Sequence, residues 1–223
     1  MAPAVWGMTP DATARAVVLA RIRAAQDGVE RPAPAPGPQR PSPGAAVQDP
    51  VAHFLDRAAD HGAGVHRVAP DGVAGLLERL CRARGARRVG IPAGLDRGWL
   101  PPGVELVVDG QRSAPLAAAA LDALDGAITG CALAIAETGT VVLDGGVGQG
   151  RRALSLVPDW HCCLVRADDV VPDVPDAIER LAPAAAAGRP LTLISGPSAT
   201  SDIELDRVVG VHGPRRLDLV VVG

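Results

Sequence analysis

The sequence contains no lysine, so all 22 basic residues of its 223 are arginine. It also contains no tyrosine, and Phe54 is its single phenylalanine. Without lysine the chain cannot form a Schiff base or supply the lysine of a Walker-type phosphate loop. A coding bias toward alanine, arginine, proline and glycine accounts for the composition, but both exclusions hold whatever its cause.

Cysteine is scarce and is spaced wrongly for metal binding. Cys81, Cys131, Cys162 and Cys163 form no Cys-x-x-Cys pair and no ligand pattern for zinc or an iron–sulfur cluster. We interpret all four as small buried apolar side chains, with Cys162 and Cys163 on opposite faces of one strand. We therefore expect no cofactor in this chain.

The sequence shows neither a secretory signal nor an apolar run long enough to span a bilayer. We expect a cytoplasmic protein with reduced thiols and no membrane contact. The net charge of −3 and the hydrophobic content of 48% are typical of a globular protein, and they provide no general attraction to nucleic acid.

Proline divides the chain into an arm and a domain. Thr9-Pro10 is a helix start, and we predict a helical arm over residues 1–30. The stretch "RPAPAPGPQRPSPG" cannot be a helix or a central strand, so residues 31–48 are predicted as a linker. Residues 49–223 then form one domain. The arm can pack on this domain or on a second copy, which would give a homo-oligomer.

Within residues 49–223, short strands alternate with amphipathic helices. This pattern predicts an α/β fold with an open, mostly parallel sheet covered by helices on both faces. Residues 126–144 interrupt the rhythm and predict an added antiparallel element. The predicted strands are 87–91, 104–109, 161–168, 190–195 and 216–223. One predicted helix starts at Asp49-Pro50, and a second starts after Asp71 and ends at Gly85. Further helices are predicted over 113–124, 173–182 and 201–209.

The loop after the predicted strand 190–195 combines a turn, hydroxyl groups and a helix start. In open α/β sheets, ligands gather at the carboxyl ends of strands, and free N–H groups at a helix start can hold a carboxylate or phosphate. Asp202 already complements the helix dipole, so an ordinary capped helix is the alternative. The candidate ligand-binding residues here are Gly196, Pro197, Ser198, Thr200 and Asp202.

Two further segments carry candidate chemistry. Glu137 follows the apolar run "CALAIA" and opens a turn with Thr138, Gly139 and Thr140; it is either a ligand-facing or catalytic carboxylate or a group that bonds turn amides. His212, in "GVHGP", is either a structural hydrogen-bonding group or a catalytic base. We expect Ser198, Glu137 and His212 to converge on one pocket.

The glycine-rich segment "GGVGQGRR" lacks the preceding strand and following helix of a dinucleotide-binding loop, so we give it little weight as one. Its Arg151 or Arg152 can partner Glu137 or an anionic ligand. We interpret His161, which opens a predicted strand, as structural.

In the order and spacing of its motifs the chain resembles the lactate utilization protein C family (LutC/YkgG), whose members consist of a LUD domain. The resemblance rests on "AETGTVVL", "RRALSLVPDWHCCLV" and "GPSATSDIELDRVVGVHGPRRLDLVVV", and it covers most of residues 49–223. The matching positions include Glu137, Thr138, Gly139, Thr140, Arg152, Gly196, Pro197, Ser198, Thr200, Asp202, Ile203, Glu204, His212, Gly213 and Pro214. Ala199 departs from the pattern because the family has arginine there, which puts an anion-binding role of this loop in doubt.

The resemblance implies the fold of ribose-5-phosphate isomerase, glucosamine-6-phosphate deaminase and the CoA transferases. It also implies an accessory role in oxidising L-lactate to pyruvate alongside iron–sulfur partner proteins, which would carry the clusters that this chain lacks. An alternative is an independent enzyme acting on a phosphosugar, acyl-CoA or folate, with Glu137 as base or nucleophile and 196–202 as the anion loop. A third is an interaction module that docks through its first helix.

Overall fold

The computed structural model describes residues 12–29, 48–110, 115–200, 208–210 and 212–223. The chain divides into two units, residues 1–44 and 45–223. In the first, helix α1 spans Ala12–Gln26. The predicted helix start at Thr9-Pro10 and most of the predicted linker lie outside the described residues, so the division of residues 1–48 stays a prediction.

The second unit contains five helices and twelve strands within its described residues. The helices are α2 (Pro50–Asp60), α3 (Val73–Arg84), α4 (Ala118–Asp122), α5 (Arg152–Leu156) and α6 (Val174–Ala186). The first six strands are β1 (Gly64–Val68), β2 (Arg88–Pro92), β3 (Glu105–Asp109), β4 (Gly126–Gly130), β5 (Leu133–Ile135) and β6 (Thr140–Leu143). The others are β7 (Trp160–Arg166), β8 (Val170–Val171), β9 (Thr192–Ile194), β10 (Ala199–Thr200), β11 (Val208–Val209) and β12 (Arg216–Val222).

The main sheet has six strands in the order β1-β12-β7-β4-β2-β3, and every neighbouring pair is parallel. Helix α3 packs on one face, where Leu77 joins a buried cluster with Cys162 and Val220. Helix α2 packs on the other, where Phe54 lies in a cluster with Cys163. The predicted α/β class and the opposite facing of the two adjacent cysteines are confirmed.

A second sheet, in the order β8-β5-β6-β9, covers part of the α2 face of the main sheet. Strands β5 and β6 are antiparallel, as are β6 and β9. The antiparallel element predicted within 126–144 is therefore present as β5 and β6, while residues 126–130 form β4 of the parallel sheet. The predicted strand 190–195 becomes β9 of this second sheet rather than a strand of the parallel one.

Two predicted helices are wrong in extent. The helix predicted over 113–124 is limited to α4, because the alanines of this segment supply few apolar anchors and Leu121 is the one residue of α4 that is buried. The helix predicted over 201–209 does not reach its predicted end. Val208 and Val209 instead form β11, paired antiparallel with Ala199 and Thr200, as the preference of valine for strands favours. The rest of that predicted helix lies outside the described residues.

The predicted helix ends at α2 and α3 are confirmed. The carboxylate of Asp49 accepts a hydrogen bond of 3.0 Å from the backbone N–H of Ala52, and Pro50 occupies the first turn. Gly85 ends α3 in the left-handed conformation, with φ of 67°. None of the described helices is both long and apolar enough to cross a membrane.

A buried carboxylate lies within the main sheet. Asp218 of β12 is 2% exposed and accepts hydrogen bonds from His66 Nε2 at 3.0 Å, Arg84 Nε at 2.9 Å and Trp160 Nε1 at 2.7 Å. Burial by itself would raise the pKa of Asp218, but these three donors outweigh it and hold the pKa below its ordinary value. The network therefore joins α3 and β1 to the centre of the sheet.

The turn between β5 and β6 is pressed against helix α2. Gly139 has φ of 61°, and a Cβ placed there would lie 2.5 Å from the backbone nitrogen of Ala58. Both the left-handed backbone and the close approach require glycine at this position. Gly139 thus lets this turn of the second sheet approach the backbone of α2 closely.

Replacing Gly139 with alanine should lower the free energy of unfolding by on the order of 3 kcal/mol, because the left-handed strain and the clash with α2 add. Gly85→Ala is the matched control: its φ is also positive, but a Cβ there meets nothing within 4 Å. It should cost about 1 kcal/mol. Urea unfolding midpoints measure both, and equal losses would show that the contact with α2 is unimportant.

Candidate functional site

A cavity of about 290 Å³ opens on the α2 face of the main sheet. Its floor includes His161 and Leu217, which are paired residues near the amino ends of β7 and β12. A ligand site at the carboxyl ends of the main strands was expected, but loop 195–198 follows β9, which belongs to the other sheet. The lining residues are Arg152, Ser155, Leu156, His161, residues 192–198, residues 212–214 and Leu217.

Two loops on the rim of this cavity are joined through Ser198. Its backbone N–H donates to Pro214 O at 2.8 Å, and its carbonyl accepts from Gly210 N at 3.0 Å. Its hydroxyl Oγ accepts from the backbone N–H of His212 at 3.2 Å. Ser198 and His212 therefore lie side by side, as expected, with the His212 side chain on the exposed edge.

Gly196 and Pro197 line the cavity, but their packing also has a structural reason. A Cβ on Gly196 would lie 3.0 Å from the carbonyl oxygen of His61, at the end of α2. Pro197 packs close to Gly62 in the following turn. The Gly-Pro pair thus lets the loop cross the end of the helix at close range.

The turn of residues 137–140 is connected to the cavity by hydroxyl groups rather than by its carboxylate. Thr138 Oγ1 donates to Thr140 Oγ1 at 2.7 Å, and Thr140 Oγ1 shares a hydrogen bond of 2.8 Å with Ser195 Oγ. Ser195 lies in the cavity lining. Thr138 and Thr140 therefore support the cavity wall from behind.

Glu137 does not join this site. Its backbone N–H donates to Pro172 O at 3.0 Å, and the residue is exposed and lies outside the lining. The expected convergence of Ser198, Glu137 and His212 is wrong for Glu137, because the turn that carries it faces α2 through Gly139 and not the cavity.

Arg152 supplies a positive charge at the cavity wall. It begins helix α5, is exposed, and its guanidinium makes no ion pair within the described part of the chain. The hydroxyl of buried Ser155 donates to Arg152 O at 3.1 Å. An unpaired guanidinium beside several hydroxyl groups can bind a small oxyanion.

Of the other candidates, Thr200 is in β10, where its backbone pairs with Val208. Asp202 lies outside the described residues. The anion site expected at the start of the predicted helix 201–209 therefore also lies outside the described residues.

His161 is a residue of the site that the sequence did not indicate. It is 1% exposed, and its Nε2 and Thr129 Oγ1 share a hydrogen bond of 2.8 Å, while its Nδ1 has no partner among the described residues. Burial lowers the pKa of His161 to about 4, so the ring is neutral at physiological pH. The signal in the sequence that could have indicated His161 was a polar residue at the start of an otherwise apolar strand.

The cysteines have the character of core residues. All four are free thiols, and Cys81, Cys162 and Cys163 are buried. Burial raises the pKa of Cys81 to about 11 and that of Cys162 well above its ordinary value, so both stay protonated. Within the described ranges no group of three or more histidine, cysteine or acidic residues is arranged to hold a metal ion.

The sequence is similar to known proteins over most of its length. It is 48% identical over 188 residues to "Lactate utilization protein C" of Deinococcus radiodurans, which covers 83% of this chain and 86% of that protein. The chain belongs to the lactate utilization protein C family. The family model described as "LUD domain" matches residues 114–222, which include the whole cavity lining.

Another relative matches over a shorter range. "Uncharacterized protein YkgG" of Escherichia coli is 39% identical over 92 residues, covering 40% of this chain and 39% of that protein. Among solved structures, a DUF162 family protein from Deinococcus radiodurans superposes with a TM-score of 0.67 at 41% identity, covering 78% of this chain and 96% of that one. That neighbour agrees with the α/β architecture.

The depressed pKa of His161 predicts a stability loss in mild acid. The unfolded chain takes up this proton near pH 6.5 but the native state only near pH 4, so stability is full above about pH 6.5 and falls by on the order of 3 kcal/mol toward pH 4. His161→Asn should flatten urea-unfolding stability across this window. An unaltered slope in His161→Asn would contradict the assignment. Protonation of Asp218 reduces stability only at lower pH, because the pKa of this carboxyl lies below its ordinary value of 3.8.

Proposed function

We propose that this chain is an accessory component of L-lactate utilization, contributing to the oxidation of L-lactate to pyruvate together with iron–sulfur partner proteins. The observation that carries the proposal is the identity over most of the chain to a relative named for lactate utilization. In this role the chain handles substrate or organises the assembly, and its partners carry the electrons.

The chemistry of the cavity is compatible with a small hydroxy or keto acid. Arg152 offers a guanidinium for a carboxylate, and Ser195 and Ser198 add hydroxyl groups at the wall. A volume of about 290 Å³ is at the small end of ligand pockets, as suits a three-carbon acid. We propose that L-lactate or pyruvate binds here with its carboxylate on Arg152.

The alternative of an independent enzyme acting on a phosphosugar, acyl-CoA or folate has less support. It requires Glu137 and loop 196–202 to face the same ligand, and Glu137 lies outside the cavity lining. No contact in the described residues favours Glu137 as a base or nucleophile.

Deleting the gene in its own organism, with the genes of the iron–sulfur partners retained, should abolish growth on L-lactate as sole carbon source. Growth on glucose should be unchanged, and the wild-type gene should restore growth on lactate. Unimpaired growth of the deletion strain on lactate would overturn the proposed role.

Replacing Arg152 with glutamine should weaken the binding of L-lactate and pyruvate by at least about tenfold, because a charge-assisted hydrogen bond is lost. Calorimetric titration of the purified chain measures this. Arg166→Gln, an exposed arginine of β7 outside the lining, is the matched control and should bind as wild type. Equal affinities in both variants would remove Arg152 from the site.

A further inference from the structure

A second and larger cavity shares a wall with the first. It measures about 600 Å³ and has Arg152, Ser155 and Thr192 in common with the smaller cavity. Its own walls come from the glycine-rich segment at Gly145 and Gly150 and from the end of α6 near Arg189. Of the functional residues predicted from sequence, Arg151 and Arg152 lie in this lining.

The glycine-rich segment has a setting that differs from the expected one. Strand β6 ends at Leu143 directly before it, and helix α5 begins at Arg152 directly after it. Gly145, Gly148 and Gly150 all have positive φ, so the chain bends back on itself between the two elements. Gly130 N donates to Gly148 O at 2.7 Å and fixes this loop to the end of β4.

Two of the arginines in this lining are held in place by buried carboxylates. Arg151 Nε donates to Asp109 Oδ2 at 2.7 Å, and Asp109 is fully buried. Arg189 pairs with Asp144 across 3.0 Å, and Asp144 is 6% exposed. Because a guanidinium has five N–H donors, each arginine keeps donors beyond those used in its ion pair.

The N–H donors of the lining favour an anion with several acceptor oxygens. Arg151 and Arg189 are ion-paired with Asp109 and Asp144, so Arg152 carries the one positive charge that these carboxylates do not balance. A phosphate ester offers three acceptor oxygens to the N–H groups that the two ion pairs leave free, where a carboxylate offers two. Planar guanidiniums bind such oxygens in pairs.

We propose that the second cavity binds the phosphate of an organic phosphate ester, with Arg189 and Arg151 as the pre-positioned partners and Arg152 at the shared wall. The remainder of the ligand occupies the space toward Ser155 and Thr192. This site has Arg189 and Arg151 as partners of its own and shares Arg152 with the proposed lactate site, and it does not depend on the role in lactate utilization.

Calorimetric titration of the full chain with glycerol phosphate and with inorganic pyrophosphate, at constant ionic strength, tests the site. Both probes should bind saturably with one site per chain, and glycerol, which lacks the phosphate, should not bind. Sulfate, matched in charge, should bind no tighter than either probe. Absence of saturable binding of both phosphates up to about 10 mM, or binding that disappears at physiological salt, would overturn the proposal.

The decisive variant removes the guanidinium of Arg189 and neutralises Asp144 at the same time, so that no buried carboxylate is left unpaired. Asp144→Asn combined with Arg189→Gln should weaken both phosphate probes by about tenfold or more. Asp169→Asn combined with Arg180→Gln removes a matched ion pair of 2.6 Å outside the lining and should change nothing. Undiminished phosphate affinity in the first pair would refute the site.

Lactate titrations of the same variants separate this proposal from the previous one. The Asp144→Asn, Arg189→Gln pair should keep wild-type affinity for L-lactate, because neither residue lines the smaller cavity. Arg152→Gln should weaken both lactate and phosphate. Loss of lactate binding in the Asp144, Arg189 pair would contradict a separate phosphate site.

Discussion

The carboxylate of Asp218 is the constraint around which the main sheet is arranged. A buried negative charge is costly unless it is fully hydrogen-bonded, and here His66, Arg84 and Trp160 supply the donors. Each donor comes from a different element, so β1, α3 and β7 must all meet β12 in one geometry. The Arg84 guanidinium also lies over the Trp160 ring, 5.6 Å from its centroid, which ties helix and strand together a second time.

The network around Asp218 also affects the candidate site, because successive side chains of a strand point to opposite faces of the sheet. Asp218 and Trp160 face α3, while their neighbours Leu217 and His161 face the opposite side and line the smaller cavity. A shift of one residue in the pairing of β7 with β12 would exchange the two sets. The polar network on one face therefore holds the register that places His161 under the rim loops on the other.

Local signals in the sequence were enough to predict part of this arrangement. The cap at Asp49-Pro50, the end of α3 at Gly85 and the parallel α/β rhythm depend on neighbouring residues and periodicity, and all three are confirmed. The adjacency of Ser198 and His212 followed from two turns close in sequence. The motifs also sufficed to recognise the family, which the similarity to curated relatives confirms.

What could not be predicted depends on contacts between distant segments. Glu137 looked like a carboxylate at the core edge, but Gly139 turns that segment against α2, a contact that spacing does not encode. His161 became a cavity residue because strands from three parts of the chain bring Thr129 and the loop at Ser195 around it. The strand Val208–Val209 overrode a helical pattern by pairing with Ala199–Thr200.

The wall of Arg152, Ser155 and Thr192 between the two cavities has a thermodynamic consequence. Molecules held on its two sides would compete for one guanidinium charge or would jointly immobilise it. By thermodynamic linkage, the factor by which the first ligand changes the affinity of the second equals the factor by which the second changes the affinity of the first. The short helix α5, which carries Arg152 and Ser155, would then couple the occupancy of each cavity to the ligand affinity of the other.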